Sequence, residues 1–142
     1  MKNKVLFFGF VFSLLSCSNK NEFDNIVATK YQQCEENKIC VIDFSSLMWF
    51  EWDTMCFYSG SNSLEQINED LGFELNEFTE IGDRVVFLNR GKYVYQKEWF
   101  NEPDKPVKGT VFVTNLKKMR LSRFETKFKI TKQGDAFYLE KF

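Results

Sequence analysis

Apolar positions fall into runs and stripes whose spacing changes along the chain. Val5 to Leu15 is a continuous apolar stretch broken only by Gly9 and Ser13, and Lys2 and Lys4 stand before it. Eleven residues are well short of the ~20 that span a bilayer as a helix. Val27, Tyr31 and Cys34 then fall at i, i+4 and i+7, one stripe of a helix that Asp24 would cap and that runs to about Asn37. Ile39 to Phe44 is β-branched and apolar and reads as a strand. Trp49 to Tyr58 is apolar on both faces of an extended chain toward its C-terminal end, which suits an interior strand. After the Ser59–Asn62 turn, Ser63 and Gln66 fit a capping box. Leu64, Ile67 and Leu71 form a helical stripe, Gly72 suits the left-handed C′ position, and Phe73 can fold back on Ile67. Arg84–Leu88 and Tyr93–Trp99 are strands about a turn over residues 89–92 in which Gly91 is free to take positive φ, and both prolines follow in a loop. Thr110–Thr114 is another strand. Phe128 and Ile130 alternate with Lys127, Lys129 and Thr131, and residues 133–135 turn the chain into a last strand over Ala136–Phe142. The pattern predicts an α+β fold: a mostly antiparallel β meander with one or two helices packed on one face.

The first run closes as Leu14-Leu15-Ser16-Cys17. A short basic segment, an apolar stretch and a terminal cysteine resemble bacterial lipoprotein signals. The resemblance implies cleavage before Cys17, diacylglycerol on the Cys17 sulfur and acylation (palmitate or similar) of the new amine. It implies a lipid anchor in the cell envelope, in the outer membrane. The organisation expected is then a signal peptide over 1–16, the lipidated cysteine and a tether over 17–22, and one α+β domain over 23–142. That domain is large enough to bury a modest core.

Charge divides the chain. Residues 17–104 carry seven basic and seventeen acidic side chains, whereas residues 105–142 carry ten and three. The resulting net charge of −3 after loss of Lys2 and Lys4 gives no reason to expect nucleic acid. Seven basic residues (Lys117, Lys118, Arg120, Arg123, Lys127, Lys129 and Lys132) lie within sixteen positions. They could meet an acidic protein or lipid phosphates, or simply guard an edge strand.

The chain contains no histidine. This excludes Ser-His-Asp and Cys-His nucleophiles and every His-ligated metal. Glu51 and Asp53 are the candidates for acid–base chemistry, because at i and i+2 of a strand they share a side roughly 6–7 Å apart. Asp43 and Asp83 could add oxygens. The alternative is that these carboxylates cap turns or pair with bases. Trp49, Trp52, Trp99, Tyr58, Tyr93 and Tyr95 could form a platform for a glycan or peptide, or fill the core. No cofactor is implied, and three scattered cysteines without a Cys-x-x-Cys spacing give no metal site. For an exported chain they do suggest one disulfide. If the strands over 39–44 and 52–58 pair with Phe44 facing Trp52, Cys40 faces Cys56. The competing bridge is Cys34–Cys40.

The run FEWDTMCFYSGSNSLEQINEDLGF, with IGDRVVFL and KEWF after it, resembles a group of small bacterial lipoproteins of uncharacterised function. Ser63, Ile67, Leu71 and Gly72 alone resemble the small lipoprotein subunit of the outer-membrane barrel-assembly machinery and inhibitor domains of like fold. There a helix ending in Leu-Gly packs on an antiparallel sheet. These features together lead to the expectation of a membrane-anchored, non-catalytic binding or assembly module whose partners are the membrane, through Cys17, and an envelope protein or glycan. The rival expectations are an inhibitor or immunity protein acting through a charged face, and a small hydrolase using Glu51 and Asp53.

Overall fold

The computed structural model describes residues 22–79 and 82–142. The expected signal over 1–16, Cys17 and the tether up to residue 21 lie outside the described residues. Within them the order is α1 (Phe23–Gln32), β1 (Val41–Asp43), β2 (Thr54–Tyr58), α2 (Leu64–Leu71), β3 (Asp83–Asn89), β4 (Lys92–Trp99), β5 (Lys108–Val113), β6 (Lys118–Ser122), β7 (Lys127–Gln133) and β8 (Asp135–Lys141). The fold is α+β, as the pattern predicts. Its strands form two four-stranded sheets, with orders β1-β7-β8-β5 (sheet A) and β4-β3-β2-β6 (sheet B). Every pairing is antiparallel except β5 with β8.

The main core lies between the sheets. Met55 and Phe57 of β2 and Val85 and Phe87 of β3 meet Phe112, Phe128, Ile130 and Leu139 of sheet A. The α1 helix adds Phe23 and Val27 to this layer, both fully buried. The Phe23 ring stacks 4.9 Å from Phe44 and lies 5.4 Å from Trp99. A second core covers the opposite face of sheet B, where Ile67 and Leu71 of α2, with Leu75, pack on Cys56, Tyr58, Val86 and Leu88. The runs in β2 and β3 are therefore apolar without alternation because both faces are covered.

The α2 boundaries follow their local signals. Ser63 and Gln66 exchange both capping-box hydrogen bonds, and Gly72 closes the helix at φ 80°. The β3–β4 turn takes two successive left-handed residues, Arg90 (φ 53°) and Gly91 (φ 73°). Beyond that turn, Leu88 pairs with Tyr93 but Phe87 pairs with Tyr95, so Val94 is an extra residue in β4. Residues i and i+2 of a regular strand share a face; this bulge instead puts Tyr93 on the outer face of sheet B and Tyr95 on the inner one.

Several expectations are corrected. Asp24 does not cap α1: the helix begins at Phe23, with Glu22 at the N-cap position and no side-chain cap, and it ends at Gln32 rather than near Asn37. The strand expected over 39–44 shortens to Val41–Asp43, because Phe44 opens a 3₁₀ turn whose Ser45 amide donates to the Asp43 carboxylate. The one expected from Trp49 shortens to Thr54–Tyr58. The Cys40–Cys56 bridge does not form, because β1 pairs with β7 and β2 with β3 and β6, in different sheets. Cys34 and Cys40 are bonded instead, with Cα atoms 5.5 Å apart. Cys56 is a free thiol buried under α2, and burial raises its pKa. The β6 strand lies at the edge of sheet B, where Met119 and Leu121 alternate with Lys118 and Arg120, so part of the basic run does guard an edge strand, the alternative named for it from the sequence.

Candidate functional site

Glu51 and Asp53 do not share one side of a strand, since both precede β2. Asp53 accepts from the Arg90 amide at 2.7 Å and from the Thr54 hydroxyl at 2.8 Å. These bonds, the Arg90 amide foremost, hold its carboxyl below the usual carboxylate range. A carboxylate kept ionised in this way supports the strained left-handed Arg90 and does not suit a general acid. Glu51 is exposed. Asp43 takes the Ser45 amide and Asp83 the Gly60 amide, so three of the four singled-out acids fix three different turns. Among the described residues, no group of three or more Asp, Glu or Cys side chains could hold a metal. Asp53→Ala is expected to lower the melting temperature by a few degrees while Glu51→Gln leaves it unchanged, as differential scanning calorimetry would read. Equal effects would mean that Asp53 has no special role in the hairpin.

The six singled-out aromatics separate into three environments. Trp52, Trp99 and Tyr58 enter the cores. The Trp99 indole donates to Asp24 at 2.8 Å, and the Tyr58 hydroxyl to Asp70 at 2.6 Å. Trp49, nearly half exposed, sits with its ring 4.9 Å from Phe50 and 5.1 Å from Tyr95. Phe50 continues the cluster inward to Phe87 at 5.4 Å. Tyr93, turned to the other face by the Val94 bulge, lines a separate cleft.

That cleft, of about 250 Å³, lies between β4 and the segment following α2. Phe73, Glu74, Asn76, Glu77, Tyr93 and Gln96 line it. Its wall is set from beneath by Arg84, which is fully buried. Arg84 is ion-paired with Glu98 and lies 4.3 Å from the centre of the Phe78 ring. Its guanidinium donates to Gln96 Oε1 at 3.3 Å, and Gln96 Nε2 donates to the Asn76 carbonyl at 2.7 Å. Glu77 is left-handed, at φ 56°, an unusual conformation for a residue with a Cβ. Burial raises the Tyr93 phenol pKa, and the Glu77 charge adds to the rise. Tyr93 was singled out from the sequence, whereas Glu77 and Gln96 were not; no local pattern marks residues that meet only through the sheet register.

The basic run does not form one face, because it straddles both sheets. Lys118 on the outer side of sheet B bonds Asp70 at 2.5 Å. Arg123 donates to the Ser45 carbonyl at 2.7 Å, and Lys127 in sheet A lies 3.9 Å from Asp43. Burial would raise the Asp70 pKa, but hydrogen bonds from Lys118 and Tyr58 outweigh it and hold the carboxyl low. A depressed folded-state pKa contributes stability that is present above the unfolded value, about 3.9, and is lost as pH falls through the folded one. Asp70→Asn is therefore expected to destabilise at pH 7 by more than it does at pH 3. Asp43, Asp53 and Glu125 shift in the same direction, so the wild-type-minus-variant difference in urea midpoint is the quantity to compare.

Comparison with protein-family models, curated proteins and solved structures finds no match to this chain.

Proposed function

We propose that the chain is a lipid-anchored, non-catalytic binding module of the bacterial outer membrane, and that the cleft beside Tyr93 is its binding site. The Leu14–Cys17 motif after an apolar run supports the anchor. The observation that carries the binding reading is the cleft lining: two aromatic rings, two carboxylates and, among the described residues, no cation. Rings present their negative faces to cations, and carboxylates complete the match, so the cleft suits a ligand bearing an ammonium group. A volume of about 250 Å³ is small for a drug-sized molecule and fits a single side chain or a short amine. The partner of this reading is an envelope protein presenting a lysine, or a glycan carrying a free amine.

Two measurements test the two halves. Mass spectrometry of the purified chain is expected to find a mature form beginning at lipidated Cys17, and Cys17→Ser to abolish lipidation; a lipid-free form starting elsewhere overturns the anchor. Lysine amide, titrated and followed by chemical shifts, is expected to saturate the cleft and to bind Tyr93→Ala and Glu77→Gln at least about tenfold more weakly. Identical titrations of all three overturn the binding site.

A further inference from the structure

The tether that would join Cys17 to the domain is short. Residues 18–22 reach at most about 18 Å when fully extended. A chain acylated at Cys17 therefore holds the start of α1 within that distance of the lipid headgroups, close enough for the surface around that start to meet the bilayer.

What surrounds it is aromatic. Phe23, the first residue of α1, places its ring 6.1 Å from Phe87, and Phe87 in turn lies 6.1 Å from the Tyr95 ring. Trp49 and Phe50 pack on the Tyr95 ring at 5.1 and 5.3 Å. Phe50 is rooted in the core through Phe87, which holds the partly exposed Trp49 in place. The charges at this point are paired internally. Glu22 bonds Lys97, and Asp24 takes the Trp99 indole, the Thr110 amide and the Thr110 hydroxyl, with Lys97 3.6 Å from its second oxygen.

We propose that Trp49, Phe50 and Tyr95 form a bilayer-interface contact that seats the domain on the membrane with the N-terminal end of α1 facing the lipid. This rests on the lipid-anchor reading. Tryptophan and tyrosine combine an apolar body with a polar tip and collect at the headgroup level, where both parts are satisfied. The seat is aromatic rather than polybasic, so it does not depend on anionic lipid. It is also small. Its effect comes from the high local concentration that the anchor imposes, so the unlipidated chain is not recruited by the seat alone.

Tryptophan fluorescence tests the seat in the full chain, purified with its lipid and reconstituted into phosphatidylcholine vesicles. Trp52 and Trp99 are buried, so the difference between wild type and Trp49→Phe isolates Trp49. Lipids brominated near the headgroup are expected to quench that component, and aqueous iodide to lose most of its access to it, with and without added anionic lipid. An absence of lipid on Cys17 by mass spectrometry overturns the anchor and the seat together. Lipid on Cys17 with Trp49 still open to iodide and unquenched by bromine overturns the seat alone. Quenching that requires anionic lipid also overturns it, since a charge-driven contact would then hold the domain.

Discussion

Replacing Asp24 by alanine is expected to cost the domain about 3–4 kcal/mol, a large share of the 5–15 kcal/mol typical of a folded chain. One oxygen of this carboxylate accepts three hydrogen bonds: from the Trp99 indole at 2.8 Å, from the Thr110 amide at 3.0 Å and from the Thr110 hydroxyl at 2.7 Å. Trp99 closes β4 in sheet B, and Thr110 lies in β5 of sheet A, so one side chain of α1 ties both sheets together. Both partner residues are buried, and truncation leaves the indole and amide hydrogens without an acceptor. Hydrogen bonds to a charged acceptor contribute about 1.5–3 kcal/mol each, and an orphaned buried donor costs about 1–3. Asp24→Asn keeps an acceptor oxygen and is expected to cost about half as much. Urea unfolding decides between these values: a loss below about 1 kcal/mol for alanine would mean that solvent replaces the carboxylate.

Glu98→Ala is expected to destabilise by about 3–5 kcal/mol, while Arg84→Met is expected to be nearly neutral. The two residues form one ion pair, so the asymmetry needs its cause. Arg84 is fully buried, and burial depresses the pKa of its guanidinium without discharging it. Removing Glu98 strands that cation, whereas removing the cation leaves a glutamate that is about one-fifth exposed and can rehydrate. Methionine also fills much of the arginine volume beside Phe78. Arg84→Met nevertheless frees Gln96 from its donor, so the cleft should loosen while the fold holds. Equal losses in the two variants would show that the pair, rather than the stranded charge, sets the cost.

The elements legible in the sequence are those whose signals are local. The capping box at Ser63 and the left-handed Gly72 bound α2, and the Gly91 turn sets the β3–β4 hairpin. The alternation around Phe128 and Ile130 marks β7. What escaped is decided at a distance. An aspartate before an apolar stripe looks the same whether it caps its own helix or, as Asp24 does, accepts from strands 75 and 86 residues away. Trp49 and Phe50 have high strand propensity, but the chain there crosses toward β2 and uses the rings as packing. Which cysteine meets Cys40 depends on which sheet takes β1, and no residue near Cys40 states that. The separation of Tyr93 from Tyr95 requires one unpaired residue, Val94, that alternation alone cannot reveal. The basic run is continuous in sequence yet spans the connection from β6 to β7, and so from one sheet to the other.

The pairing of β1 with β7 has a consequence for the order of folding. Sheet B builds its first three strands from neighbours in sequence, β2 to β4. Sheet A joins Val41 to Lys129 across most of the domain. Closing so long a loop costs entropy before any contact repays it, and folding slows as contacts become less local. The β2–β3–β4 meander is therefore the natural nucleus, and sheet A follows. Phe23 and Val27 of α1 are enclosed by Phe112, Phe128 and Leu139, which come from the last third of the chain. The α1 helix, first among the described elements, is thus among the last to be covered. While it waits, its apolar face is the surface most exposed to self-association, and folding conditions that favour late closure of sheet A are those in which aggregation would begin there.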